Sequence, residues 1–304
     1  MAVTIGLPFY NCERTLTRAL QSVFAQTYPE WELLLVDDGS TDRSLEIAAA
    51  VRDSRVRLVA DGENRGLVAR LNQITALART PYLCRMDGDD LAHPDRLARQ
   101  IEHLDRHPEA DGLGTAAVAI DAQDRPSRLR AGSALRLDDP RQILRRGGLI
   151  DPTLMARLAW FRRFPYDPDY LRAEDLELWV RACHSSVLEQ LAQPLYFYRE
   201  AGAVSLANYR RTCATSRKVF RRYGPNVVGV RETAGLIARS FLKESCYRAF
   251  DFAGSAPLLV GLRGSPLSAE QQAAARAAIA TILRTPVPGL AQPRPVSDAL
   301  LASW

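Results

Sequence analysis

Four times within about 105 residues, a short apolar run is followed by amphipathic helical spacing, and this alternation narrows the possible folds more than any other feature. Val3 to Leu7 is a β-branched run of strand length that ends at Pro8. Thr15 to Ala25 then carries Leu16, Leu20, Val23 and Phe24 along one side, as a helix requires. Glu32 to Val36 is a second strand, halted by the turn cluster Asp37 to Asp42, from which Ser40 or Thr41 is expected to cap a helix over Arg43 to Val51. Val56 to Ala60 and Tyr82 to Met86 are further strands, each followed by a helical stretch, Leu67 to Ala78 and Pro94 to Leu104. Strands alternating with helices predict an α/β fold, a mostly parallel sheet flanked by helices.

Ligands of such sheets bind beyond the carboxyl ends of the strands. The polar clusters of this chain fall at those ends: Pro8-Phe9-Tyr10-Asn11, Asp37 to Asp42, Asn64-Arg65-Gly66 and Asp87 to Asp90. Four loops at one edge are expected to converge on one pocket. Beyond Pro108 the alternation weakens. Gly112 to Ile120 and Val187 to Tyr198 read as extended, and Pro140 to Arg146 and Ala173 to Cys183 as helical. From about Ser205 to Arg284 the pattern is helical, and residues 285–304, with four prolines, read as a loose tail. The expected organisation is a catalytic unit over 1–208, a basic helical appendage over 209–284 and the tail over 285–304.

Charge separates the parts. Between Leu206 and Arg263 stand eleven Lys/Arg against Glu232, Glu244 and Asp251, a local excess of +8 in a chain whose net charge is only +5. A basic helical segment interleaved with Phe220, Phe241 and Phe250 suggests peripheral contact with an anionic membrane; a solvated helical face is the plain alternative. Nucleic acid is not expected as a partner. Five cysteines, with no C-x-x-C pair, argue against a disulfide framework or a zinc site. The chain shows no basic leader and no uncharged run of spanning length, so a cytoplasmic protein is expected, at most peripheral on the inner face of the membrane.

Three acidic constellations carry chemistry. Asp87-Gly88-Asp89, on the turn after a buried strand, can aim two carboxylates at one small volume. Hard oxygen ligands of this kind suit Mg²⁺ or Mn²⁺ shared with phosphate oxygens, although an acidic turn explains the same residues. Asp37-Asp38-Gly39-Ser40 reads as a β-turn or as an acceptor for a base N–H. Glu174-Asp175 opens an amphipathic helix, where two acids either compensate the helix dipole or supply a general base.

Taken in order, Asp37-Asp38-Gly39-Ser40-Thr41-Asp42, Asn64-Arg65-Gly66 with Leu71-Asn72, Asp87-Gly88-Asp89-Asp90, and Glu174-Asp175 ahead of Leu178-Trp179 resemble the family 2 glycosyltransferases. Pro8-Phe9-Tyr10-Asn11 and Gln26-Thr27-Tyr28-Pro29 match that family's opening, so the resemblance runs from about residue 3 to 208. It implies a GT-A fold and an inverting, single-sugar transfer from a nucleoside-diphosphate donor, UDP by default, to a glycan or lipid-linked acceptor in cell-envelope polysaccharide synthesis. It implies Asp38 at the base, with Pro8, Tyr10, Asn11, Asp37, Ser40, Asn64 and Gly66 around the nucleotide. Asp87 and Gly88 would lie near the ribose, Asp89 with Asp87 on Mn²⁺ or Mg²⁺, and Asp175 as the catalytic base with Glu174 beside it.

Two departures stand out. Relatives carry histidine shortly after a Tyr-Arg pair, whereas Tyr198-Arg199 is followed here by Glu200-Ala201-Gly202; either the ligand set is thinner or Glu200 joins it. Relatives also carry His before Pro where this chain has Asp151-Pro152. His93, His103, His107 and His184 show no ligand spacing. A sugar nucleotidyltransferase would open with a glycine-rich loop, which Pro8 to Cys12 lacks. A non-catalytic nucleotide-sugar-binding module is the alternative of a different class, and donor turnover separates the two.

Overall fold

The computed structural model describes residues 2–200, 205–255 and 264–291. Its centre is β1 (Val3–Phe9), flanked in parallel by β2 (Trp31–Asp37) and β4 (Tyr82–Arg85), with β3 (Val56–Val59) parallel beyond β2. On the other side of β4, β9 (Met155–Arg157) pairs antiparallel and links it to β6 (Gly112–Ile120). The long β10 (Leu188–Arg199) runs parallel along β6, and β7 (Pro126–Arg130) lies antiparallel at the end of β6. Short strands β5 (Leu91–Ala92) and β8 (Leu135–Arg136) pair with β10, and β11 (Ser265–Pro266) closes the edge beyond β7.

The four strand–helix pairs stand where the periodicity puts them. The helices are α1 (Leu16–Phe24), α2 (Ser44–Ala50), α3 (Leu67–Leu77) and α4 (Arg96–Arg106). Parallel strands covered on both faces need apolar residues at successive positions, and β2 shows why. Its Leu33 and Leu35 point into the core under α1 and α4, with Leu20, Leu97 and Ile101. Its Leu34 and Val36 point into the opposite core under α3, with Leu71 and Ile74. That second core also takes in α5 (Pro140–Arg146), α6 (Leu158–Arg163) and α7 (Glu174–Ala182), through Ile143, Trp160 and Trp179. Truncating a wholly buried leucine such as Leu35 to alanine would cost about 2–5 kcal/mol.

The C-terminal half divides differently from expectation. Helices α8 (Leu206–Val227) and α9 (Val230–Phe252) form an antiparallel hairpin whose Val219, Phe220 and Leu236 join the core under α3. The last helix, α10 (Ala269–Arg284), is no part of that appendage: Ile279, Ile282 and Leu283 pack on Val118, Ile120 and Phe197 of the sheet. The start of the expected loose tail is packed as well. Val287 is buried in the core under α1, and Pro288 O accepts from Arg52 N at 2.8 Å. Apolar Val287 and Leu290 supply the contact, while proline holds the backbone extended without cost. Residues 292–304 lie outside the described residues, as do 256–263, most of the uncharged run after Phe252.

Candidate active site

The carboxyl ends of β1, β2 and β4 open onto one cleft of about 990 Å³, closed on the far side by the 147–152 segment, the start of α7 and one turn of α8. The nearer wall is a set of loops sewn together by side chains. Asp38 Oδ1 accepts from the N–H groups of Arg65 at 2.8 Å and Gly66 at 3.1 Å and from Arg70 Nε at 2.9 Å; Oδ2 accepts from Gly66 N at 3.0 Å. The guanidinium of Arg70 is wholly buried and also pairs with Asp61 at 2.7 Å. Asp38 therefore fixes the 64–66 loop as well as facing the cleft. Asn11, in the left-handed region at φ 50°, accepts from Thr41 N at 2.8 Å, and its own N–H donates to Ser40 Oγ at 3.1 Å.

Of the ten residues expected around the nucleotide, Tyr10, Asp38, Asn64, Gly66 and Asp87 line the cleft. Pro8, Asn11, Asp37, Ser40 and Gly88 are not among its lining residues. Asp37 is fully buried, and its carboxylate accepts from the N–H groups of Gly39 and Ser40 at 3.2 Å, so in this structure it shapes the turn. The helix cap is corrected. Neither Ser40 nor Thr41 caps α2; Asp42 accepts from Ser44 N at 2.9 Å instead. Gly88 answers a steric demand, since a Cβ there would stand 3.0 Å from Phe9 Cβ.

Asp87, Asp89 and Asp90 offer carboxylate oxygens within 4.8 Å of one another. Enclosure by the protein and then the charge of Asp87 raise the Asp89 carboxyl to about 6, although the residue still meets solvent. Asp90 is buried, and burial first, then Asp89 and Asp87, push its carboxyl well above the ordinary range. Its Oδ1 accepts from Arg199 N at 2.6 Å; its Oδ2 is buried with no hydrogen bond of normal geometry among the described residues, although the Tyr196 hydroxyl is near enough to favour the ionised form. Three crowded carboxylates with one oxygen left unsatisfied fit a hard divalent cation, which would relieve both the repulsion and the orphaned acceptor.

On the opposite wall, Ala173 adopts φ 54° and turns the chain so that Glu174 and Asp175 enter the first turn of α7. Burial, then Asp175 and Asp151, raise the Glu174 carboxyl to about 8. Burial also raises Asp175. The N-terminal dipole of α7 favours ionisation, and desolvation wins. Between the two walls lies Arg85, buried on β4, with Nη1 3.2 Å from Asp87 Oδ2 and Nε 2.8 Å from Asp151 Oδ2. Tyr166 donates its hydroxyl to Asp151 Oδ1 at 2.9 Å. Burial raises Asp151 to about 6 against the pull of Arg85. One guanidinium thus links Asp87 of the acidic cluster to Asp151.

The family model for glycosyl transferase family 2 matches residues 4–168, more than half of the chain. The chain belongs to glycosyl transferase family 2. It is 33% identical to EpsE of Bacillus subtilis (strain 168) over 186 residues, 59% of this chain and 66% of EpsE. It is 35% identical to the succinoglycan biosynthesis protein ExoO of Rhizobium meliloti over 160 residues, 53% of this chain and 43% of ExoO. The chain thus spans less than two thirds of these relatives. Staphylococcus aureus TarS 1–349, solved in complex with UDP-GlcNAc, superposes with a TM-score of 0.61 at 19% identity, over 94% of this chain and 82% of that one. The GT-A architecture expected from the motifs is the one observed.

Glu200 pairs with Arg130, and among the described residues the third acid beside Asp87 and Asp89 is Asp90. Arg85 and Tyr166 escaped sequence reasoning, which named Asp90 in the acidic motif and Asp151 as a departure from the family's His-Pro but gave neither a role. The signal for Arg85 was present, since an arginine inside the apolar run Tyr82 to Met86 must find a buried counter-charge. Arg211 and Thr212 of α8 also line the cleft, so the basic hairpin contributes to the site.

Proposed function

We propose that this family 2 protein is an inverting glycosyltransferase that moves one sugar from a nucleoside-diphosphate donor, UDP the default, to a hydroxyl of a glycan or lipid-linked acceptor. The observation that carries this reading is the single cleft lined on one wall by Asp87 and on the other by Glu174 and Asp175. The names of relatives support it: ExoO is a succinoglycan biosynthesis protein, and TarS was solved with UDP and with UDP-GlcNAc. Polysaccharide synthesis at the cell envelope is the setting proposed, which would place the working enzyme on the cytoplasmic side of a membrane.

Tyr10, Asp38, Asn64 and Gly66 would hold the nucleotide. Asp87, Asp89 and Asp90 would hold Mg²⁺ or Mn²⁺, which when bound neutralises the diphosphate. The acceptor hydroxyl attacks the anomeric carbon while Asp175 takes its proton. The bond to the diphosphate oxygen breaks as the new C–O bond forms, and the nucleoside diphosphate leaves with the electron pair. A single displacement inverts the anomeric configuration. Glu174, with its proton retained near neutral pH, leaves one negative charge at the pair, so Asp175 can ionise beside it.

The test is transfer from labelled UDP-, GDP- and dTDP-sugars to glycan and polyprenyl-diphosphate-sugar acceptors, read by mass spectrometry for the number of sugars added and by NMR for the anomeric configuration. One added sugar of inverted configuration is expected. A retained configuration, or a ladder of added sugars, would overturn the mechanism or the single-addition reading respectively.

A further inference from the structure

Helix α9 is the outermost helix of the hairpin, and its outward face has an unusual make-up. At 3.6 residues per turn, Gly235, Ala238, Leu242, Cys246 and Ala249 form one exposed stripe. Leu242 is 64% exposed, and Phe252, at the end of the helix, is 96% exposed. A solvent-facing helix surface is ordinarily polar. This one is apolar, with Arg231 at its head, Arg239 and Lys243 along one side and Arg248 further round, all exposed and with no ion pair among the described residues. The acids of the helix are paired or lie away from the stripe. Glu232 pairs with Arg145 at 2.6 Å, Glu244 with Arg217 at 2.8 Å and Arg210 at 3.1 Å, and Asp251 lies on the opposite side of the helix from Leu242 by the same spacing.

We propose that the outward face of α9 is a docking surface for an anionic lipid bilayer. Charge complementarity selects this occupant. An apolar stripe with Arg231 at its head and Arg239 and Lys243 along one side, whose nearest acid, Glu232, is already paired with Arg145, repels a second copy of itself, while an anionic bilayer satisfies both halves of the pattern. Attachment is peripheral, since no helix among the described residues is long and apolar enough to cross a membrane. Helix α8, against which α9 packs, supplies Arg211 and Thr212 to the cleft wall, so a bilayer on α9 lies one helix layer, about 10 Å, from the wall of the cleft. The inference does not depend on the glycosyltransferase reading.

The experiment is co-sedimentation of the full chain with phosphatidylcholine vesicles carrying none, one quarter or one half phosphatidylglycerol, at low and high salt. Binding is expected to rise with anionic content, to vanish on neutral vesicles and to weaken at high salt. Each cation near such a surface multiplies partitioning about fivefold, so R239E/K243E/R248E should lose at least about a hundredfold. Leu242→Ala and Phe252→Ala should weaken binding at unchanged charge. All variants are checked for native circular dichroism and for unchanged donor binding, because none of these residues lines the cleft. Failure of the wild-type chain to bind half-anionic vesicles at low salt overturns the proposal, as does binding that survives the triple reversal. Tight binding to polyglutamate without binding to vesicles would assign the face to an acidic protein. A dimer in sedimentation that Leu242→Glu dissolves would assign it to a second copy.

Discussion

Replacing Arg85 by methionine removes the buried guanidinium that bridges Asp87 and Asp151 while keeping an unbranched side chain. The wild-type side chain is 4% exposed and lies 2.8 Å from Asp151 and 3.2 Å from Asp87. Removing one partner of a buried pair costs about 3–5 kcal/mol, because the other charge stays buried and uncompensated. Against a total stability of about 5–15 kcal/mol, the loss is large and measurable. Its pH dependence has a definite sign. The folded-state Asp151 carboxyl, at about 6, lies above its unfolded value of 3.8. Its contribution to stability is therefore full below 3.8 and is lost as pH rises through 6. Without Arg85 the folded value climbs further, and each added unit costs about 1.4 kcal/mol at neutral pH. The difference between wild type and Arg85→Met should thus be widest at pH 7.5 and shrink towards pH 5, where Asp151 carries its proton in both. Urea unfolding followed by the fluorescence of buried Trp160 and Trp179, without added metal, reads it directly. A loss below about 1 kcal/mol at pH 7.5, or a difference that widens towards pH 5, would refute the reasoning.

Asp175→Asn should lower transfer by about two to four orders of magnitude with donor affinity kept, measured by steady-state kinetics and calorimetry; unchanged turnover would make Asp175 a helix-start residue only. Glu174→Gln should retain most of the activity at pH 7, because the glutamate already holds a proton there, and a loss equal to that of Asp175→Asn would reverse the two roles. Gly88→Ala, which brings a Cβ to 3.0 Å from Phe9, should weaken Mn²⁺-dependent donor binding while thermal stability falls by only a few degrees; calorimetry showing unaltered binding would mean the acidic turn tolerates the shift.

The sheet was legible because its signal is local. Buried parallel strands read as apolar runs, and the first four helices carry their stripes within one window of sequence. The order of β9, β6 and β10 was not legible, since β9 is three residues long and is defined only by partners on β4 and β6. The acids of the cleft were legible as motifs, but their division of labour was not. Asp37 and Asp38 are neighbours in sequence, yet strand alternation buries one inside its turn and leaves the other at the cleft. Asp151 was legible only as a departure from the family's His-Pro and Tyr166 carries no motif; they become a unit only where the 3₁₀ turn at Asp151–Thr153 meets Arg85. The packing of the 285–291 segment rests on Val287 and Leu290 alone among prolines, too little to read from composition.

The central claim is that the acidic cluster and the acid pair serve one reaction on a nucleotide sugar. Release of nucleoside diphosphate from a panel of nucleotide sugars, by the wild-type chain and by Asp89→Ala, with Mn²⁺ or with EDTA, tests it most directly. The account predicts release from at least one donor with Mn²⁺, abolished by EDTA and by Asp89→Ala, with native circular dichroism in both proteins. Equal release by the two proteins, or release indifferent to EDTA, would contradict it.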